Sequence, residues 1–294
     1  MTEFKKAIDF IRDKSSNDVE LGTAFEKLVK VFFENDATQK QEYSQIWHYT
    51  DWAKKHPTYT SRDTGIDLVA KLRDQEGYCA IQCKCYQSNH SISKADIDSF
   101  ISAAATTDFK RLLLIDTSLQ PIGNNAMSTL ANLSQEYIRI QLKELEESLI
   151  DWSSYIKNNG EVKLRSKKKL RDDQIYVLRK VREGFKTNDR GKIIMACGTG
   201  KTFTSLRITE DIAGEGKIVL YMVPSLALMS QTIREWKNDS LNDFIAFSAC
   251  SDSKVGRRNS QNDLVEVSLN DLAFPACTDP ENLSQKIKEA DNII

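Results

Sequence analysis

Long apolar runs are missing from this sequence. No segment of its 294 residues approaches the ~18 consecutive apolar side chains that span a bilayer. The first residues, Met1-Thr2-Glu3-Phe4-Lys5-Lys6, lack the apolar centre of a secretory signal. A cytoplasmic protein with no membrane partner is the expectation. A disulfide framework is missing as well: six cysteines, unevenly placed, fit reduced thiols. There is no internal repeat and no low-complexity tract. The net charge is −1, so no overall basic excess marks a nucleic-acid binder. The three histidines, His48, His56 and His90, show no spacing that argues for catalysis.

What is present is a globular composition, 40% hydrophobic and 28% charged, in a chain long enough for two domains. Its strongest local feature is Met195-Ala196-Cys197-Gly198-Thr199-Gly200-Lys201-Thr202. The apolar run Lys192–Met195 precedes it and helix-compatible residues follow, the strand–loop–helix setting of a phosphate-binding loop. The backbone N–H groups of Gly198, Thr199 and Gly200 can surround phosphate oxygens at a helix N-terminus. Lys201 would reach the β- and γ-phosphates of ATP, and the Thr202 hydroxyl would ligate Mg²⁺.

Before this loop the pattern predicts a helix over 19–34 (Leu21, Phe25, Leu28, Phe32), capped by Asn17 or Asp18. An aromatic-rich stretch to about Thr64 follows, read as loop with short elements. Strands are expected at 66–70 and 78–86 around a turn at 73–77, with a helix at 93–105 and a strand at 111–116. Then come a helix at 124–133, a strand at 137–140 and a helix at 142–156. These predict an α/β domain with a mixed sheet flanked by helices over residues 1–157. Residues 158–172 form a basic linker holding Lys163, Arg165, Lys167, Lys168, Lys169 and Arg171. Solvated linker and phosphate-contacting segment both remain open for it. Residues 173–294 alternate helix (173–185), strand (192–195), helix (202–213), strand (217–223), helix (226–237) and strand (244–248). That order predicts a parallel α/β sheet.

On the strand 79–86, period two places Cys79, Ile81, Cys83 and Cys85 on one face and Ala80, Gln82, Lys84 and Tyr86 on the other. The alternation points the cysteines into the core, and no second Cys or His pair stands at zinc spacing. Asp67 begins the preceding strand, so a hairpin brings Asp67, Gln82 and Lys84 toward one sheet edge. Asp67 offers a hard oxygen ligand for Mg²⁺ and Gln82 a neutral one. Lys84 would stabilise charge developing on a phosphate or orient water.

Gly65-Ile66-Asp67-Leu68-Val69-Ala70 followed by Ala80-Ile81-Gln82-Cys83-Lys84-Cys85-Tyr86 resembles the Mrr-like branch of the PD-(D/E)xK nucleases, over roughly residues 15–140. The resemblance implies a restriction-endonuclease-like fold and a metal and catalytic site of Asp67, Gln82 and Lys84, completed by a first-helix glutamate. Glu26 is the match for that glutamate, though it also fits a surface position. The branch commonly carries Gln where others carry Glu.

The segments Leu170-Arg171-Asp172-Asp173-Gln174-Ile175, Met195–Thr202 and Val219–Thr232 together resemble superfamily 2 helicases and translocases. The resemblance implies that Gln174 reads the adenine edge and that Pro224, Ser225 and Gln231 lie toward the nucleic-acid backbone. Such motors also need an Asp-Glu pair on a later strand, and none occurs from Phe244 to Ile294. Residues 173–294 therefore read as a partial RecA-like domain, expected to bind ATP weakly without turning it over. Nuclease followed by motor resembles the start of type ISP restriction–modification enzymes. That order implies double-stranded DNA as partner, and further helicase, methyltransferase and target-recognition domains in a longer chain. The rivals are a nuclease–helicase of repair or phage defence without methylation, an inactive DNA-binding module, and a nucleotide-binding regulatory domain.

Overall fold

A computed structural model describes residues 2–60, 64–158, 160–250 and 276–291. The chain divides into two compact units, residues 1–165 with 247–294, and residues 166–246.

The first unit opens with α1 (Glu3–Lys14), whose buried Phe4, Ala7, Ile8 and Ile11 recur at helical spacing. Then follow α2 (Asp18–Asn35), α3 (Ala37–Glu42), β1 (Tyr43–His48) and α4 (Tyr49–Ala53). As expected, Asn17 caps α2, accepting the Glu20 N–H. The hairpin β2 (Leu68–Leu72) and β3 (Tyr78–Lys84) leads to α5 (Asp98–Ala104), β4 (Phe109–Asp116), α6 (Asn124–Ala131) and β5 (Glu136–Ile140). The unit continues with α7 (Leu142–Glu147), β6 (Ile150–Asp151), α8 (Trp152–Lys157) and β7 (Lys163–Leu164).

The main sheet has the order β1-β2-β3-β4-β5. Its first three strands are antiparallel neighbours, and β3, β4 and β5 run parallel. This is the predicted mixed sheet. One face packs Leu68, Cys79, Ile81, Cys83 and Ile115 against Phe4, Phe25 and Leu28 of α1 and α2. The other packs Val69, Ala80, Leu112 and Leu114 against Trp52, Phe100 and Leu130 of α4, α5 and α6. A sheet covered on both faces buries near-continuous apolar runs such as Leu112-Leu113-Leu114-Ile115.

The short elements of the aromatic-rich stretch include an edge strand, β1, which pairs with β2. Two expectations for this unit need correction. The helix over 93–105 starts only at Asp98, because the Asp96 carboxylate accepts the Ser93 N–H at 2.8 Å and holds a turn there. The helix over 142–156 is broken. Ile150 and Asp151 pair with Leu164 and Lys163, and the Asp151 carboxylate restarts the helix by accepting from the Ser153 and Ser154 N–H groups.

The second unit holds α9 (Asp172–Gly184), α10 (Lys201–Ile212) and α11 (Leu226–Asp239), close to expectation. Phe203, Leu206 and Trp236 form its small core. The runs 192–195, 217–223 and 244–248 were expected as strands, but form no ladder among the described residues. The reason is physical: parallel strands are stable when neighbours cover both faces. Here Ile194, Leu220 and Met222 are 88%, 83% and 83% exposed.

The basic stretch is divided between the units. Leu164 pairs with β6 in the first. In the second, the Lys168 N–H donates to the buried Asp239 carboxylate at 2.8 Å, and Lys167 Nζ donates to the Ser240 carbonyl at 2.6 Å. The last described helix, α12 (Pro280–Asp291), belongs to the first unit. Its Lys286 pairs with Asp74 at 2.9 Å. No helix among the described residues is long and apolar enough to cross a membrane.

Candidate nuclease site and phosphate loop

Asp67 is delivered by a tight turn. Gly65 has φ +87°, and a Cβ there would lie 2.8 Å from Ser99 Oγ and 3.0 Å from the Phe100 nitrogen. Glycine alone fits both restraints. The Asp67 backbone is locked on both sides: its N–H donates to the Ile81 carbonyl and its carbonyl accepts from the Tyr49 N–H, each at 2.9 Å. Its carboxylate accepts the Cys83 N–H at 2.6 Å. Asp67 therefore faces β3 where Gln82 and Lys84 sit.

Gln82 is not on an open edge. It is 2% exposed, and its Oε1 is a buried acceptor with no partner. An unmet buried carbonyl costs about 1–3 kcal/mol, so a group that supplies positive charge there recovers that cost. Lys84, half-buried, ends β3 opposite Asp116 of β4, and its carbonyl accepts the Thr117 N–H at 3.2 Å. Beyond it the Tyr86 carbonyl accepts from Arg12 Nη2 of α1 at 2.8 Å and from Thr117 Oγ1 at 2.6 Å. The strand end that carries the lysine is thus fixed from two sides.

Glu26 reaches the same region from α2. Burial first, then the negative charges of Asp67 and Glu26, push the Cys83 thiol well above its usual range, with Lys84 acting the other way. Three of the four expected nuclease residues thus act on one sulfur, and the fourth, Gln82, is its chain neighbour. Glu26 Oε2 lies 3.8 Å from Nδ1 of His48, the last residue of β1. Nothing in the sequence marks this histidine, because the pair depends on β1, which the pattern did not reveal. Among the described residues no group of three or more His, Cys, Asp and Glu is placed to hold a metal ion. The hard-oxygen donors at this site are the Asp67 carboxylate and the Gln82 amide. Such oxygens are the donor type that Mg²⁺ takes.

Past Tyr86 lies a second polar cluster. Asp96 accepts from Tyr86 Oη at 2.8 Å and from Ser93 Oγ at 2.7 Å, and His90 Nε2 is 3.5 Å away. Burial alone would raise the Asp96 pKa, but the hydrogen bonds of Ser93 and Tyr86, with His90 nearby, outweigh it and hold the carboxyl at about 2. A carboxyl depressed in the fold stabilises it above the unfolded value, near 3.9. This contribution is lost as pH falls from about 4 toward about 2. Asp96→Asn is expected to flatten that part of the acid limb of an unfolding curve. An unchanged limb would show that the cluster contributes nothing.

In the second unit, Gly198 and Gly200 have φ +75° and +80°, so the loop turns through left-handed backbone into the first turn of α10. Lys201 Nζ donates to the Met195 and Ala196 carbonyls, both at 2.9 Å. Thr199 Oγ1 donates to the Ala196 carbonyl at 2.7 Å. The Thr202 carbonyl accepts Trp236 Nε1 of α11 at 3.0 Å. Gln174 is 2% exposed against this loop, with Nε2 donating to the Thr199 carbonyl at 3.1 Å. Cys197 is exposed on the loop.

Residues 34–162 match the family model described as a restriction endonuclease of the Mrr catalytic type. Residues 167–285 match the model of the type III restriction enzyme res subunit. Among solved structures, one titled as the ATP-dependent Type ISP restriction-modification enzyme LlaBIII bound to DNA is 30% identical, with a TM-score of 0.75. The match covers 97% of this chain and 17% of that chain. The DNA modification-dependent restriction endonuclease AspBHI is 15% identical with a TM-score of 0.31, over 53% of this chain and 36% of that one. No curated protein matches the sequence.

Proposed function

We propose that this chain, which joins an Mrr-like restriction-endonuclease domain to a helicase domain of the type III restriction enzyme res-subunit family, cuts double-stranded DNA in a Mg²⁺-dependent reaction and binds ATP. In the full assembly the second domain belongs to an ATP-driven DNA translocase of a type ISP restriction–modification enzyme, which carries the remaining helicase, methyltransferase and target-recognition domains elsewhere. The observation that carries the nuclease reading is the unpartnered buried Oε1 of Gln82 on the strand whose next residue, Cys83, donates its N–H to the Asp67 carboxylate and whose last residue is Lys84.

Asp67 and Gln82 would hold a Mg²⁺ ion that withdraws charge from the scissile phosphate and lowers the pKa of bound water. Lys84 places a fixed ammonium at the strand end, where it stabilises charge building on the phosphate oxygens. Glu26, held beside His48, supplies a second carboxylate from the helix side. The test is nicking of supercoiled plasmid by the full chain with and without Mg²⁺. Cleavage that appears with Mg²⁺ and is lost with chelator is expected. DNA binding without metal-dependent cleavage would instead favour the inactive binding module.

The loop at 195–202 binds the triphosphate of ATP through the N–H groups of Gly198, Thr199 and Gly200, with Lys201 leaving its two carbonyls for the phosphates. Thr202 supplies the hydroxyl toward Mg²⁺. Cys197 gives a direct readout. In the native chain it should alkylate readily, while the buried Cys79 and Cys83 react only on unfolding. Burial pushes Cys79 up to about 12, with the Arg111 charge opposing. Mg²⁺–ATP is expected to slow Cys197 alkylation several-fold. An unchanged rate at saturating ATP would count against the loop as the nucleotide site.

A further inference from the structure

Arg12 stands on α1, ahead of residues 34–162 that match the nuclease family model. Its Nη2 donates to the Tyr86 carbonyl at 2.8 Å and lies 4.0 Å from Cys85 Sγ. Tyr86 follows Lys84 by two residues, about 7 Å of extended chain. The Tyr86 carbonyl already accepts Thr117 Oγ1 at 2.6 Å, so it needs no arginine to be satisfied. Arg12 even works against stability, because its Nε is a buried donor with no partner. The helix beneath it is firmly seated. Phe4, Ala7, Ile8 and Ile11 are buried, and the Phe4 ring meets Trp152 edge to face with centroids 4.9 Å apart. A fixed helix thus sends one side chain to the strand end that carries Lys84, at a loss in folding free energy. Such local rule-breaking marks functional positions.

We infer that Arg12 is a positioning residue for the nuclease reaction, fixing the end of β3 so that the Lys84 ammonium stands where charge builds on the scissile phosphate. The inference rests on the reading of Lys84 as the charge-stabilising residue of a nuclease. Thr117 ties the segment from within the sheet, through its N–H on the Lys84 carbonyl and its Oγ1 on the Tyr86 carbonyl. Arg12 adds a tie from α1, outside the sheet, so the Tyr86 carbonyl is held from two directions. A charged donor serves a transition state only when its place is fixed beforehand. A displacement of about 1 Å costs up to about 10²-fold in rate. Arg12 acts through the Tyr86 backbone and not on the substrate.

The test is single-turnover nicking of supercoiled plasmid by the full chain, with DNA and Mg²⁺ each titrated. Arg12→Met keeps the aliphatic stem and removes the donor. It is expected to lower the maximal rate about tenfold, the weight of one hydrogen bond, with the half-saturating DNA and Mg²⁺ concentrations unchanged. Arg12→Lys retains a donor and should recover part of the rate. In a Lys84→Ala background, Arg12→Met is expected to change nothing further, because the group it positions is gone. A merely structural arginine would lower the rate by the same factor in both backgrounds, and that result would overturn the inference. An unchanged rate in Arg12→Met would overturn it too. So would a loss confined to the half-saturating DNA concentration, which would make Arg12 a DNA-backbone contact. Should Arg12→Met fail to fold, Arg12→Lys carries the same comparison in both backgrounds. If the unsubstituted chain does not nick with Mg²⁺, the nuclease reading itself falls, and this inference with it.

Discussion

Lys84→Ala is expected to lower Mg²⁺-dependent nicking by about 10²–10³-fold, the loss that follows removal of one fixed charge-stabilising donor. The residue ends β3, and its backbone is held by the Thr117 N–H whatever side chain it carries. The residue is half-buried, and no salt bridge to it occurs among the described residues. Truncation should therefore change stability by less than about 1 kcal/mol. The two readouts separate chemistry from folding: the plasmid assay collapses while the thermal midpoint stays. Metal binding should survive as well, because the oxygen donors are Asp67 and Gln82. Lys84→Arg keeps the charge but changes its shape and reach, so partial recovery is expected. Undiminished cleavage by Lys84→Ala would remove this lysine from the site.

Most of the first unit could be read from the sequence because its elements announce themselves locally. The hairpin at β2–β3 follows from two β-rich runs around Arg73–Gly77, and β4 from an unbroken apolar run. Helix α1 carries the same helical spacing in Phe4, Ala7, Ile8 and Ile11. β1 is different. Tyr43–His48 carries no alternation: as an edge strand it buries Tyr43, leaves Ser44 and Gln45 exposed and covers Ile46, Trp47 and His48 only in part. With β1 hidden, the His48–Glu26 contact was hidden too. The burial of Gln82 also escaped the pattern. Period two correctly separates it from Cys83, but cannot say that helices cover both faces of the sheet. In the second unit the helices α9–α11 were legible from amphipathic spacing. The three apolar runs between them carry strand propensity, yet a parallel strand is made by its neighbours and not by its own residues.

Arg139→Ala is expected to destabilise the first unit by about 3–5 kcal/mol, the cost of leaving one partner of a buried ion pair behind. Arg139 of β5 and Asp116 of β4 are 3% and 0% exposed and meet through two hydrogen bonds, 2.8 and 3.0 Å long. Arg139 Nη2 also donates to the Gln120 carbonyl at 3.1 Å, and Asp116 accepts the Ser118 N–H at 2.9 Å. Removing the guanidinium takes two charge-assisted hydrogen bonds from a carboxylate that is 0% exposed. For a unit of this size the midpoint should fall on the order of 10 °C. The effect should reach the nuclease site, since Asp116 stands in register with Lys84 across β3 and β4. Cleavage at temperatures well below the new midpoint should still decline, by loosening of the strand end that Thr117 anchors. The double variant Asp116→Leu/Arg139→Met removes both charges together and is expected to recover most of the lost stability. It should not recover cleavage in full, because the Ser118 N–H then loses its acceptor and the turn after β4 loses its anchor. Chemical denaturation of the wild type, the single and the double variant measures the coupling. An Arg139→Ala variant within about 1 kcal/mol of the wild type would mean that Asp116 finds its charge balanced elsewhere, and the strand end would owe its position to Arg12 and Thr117 alone.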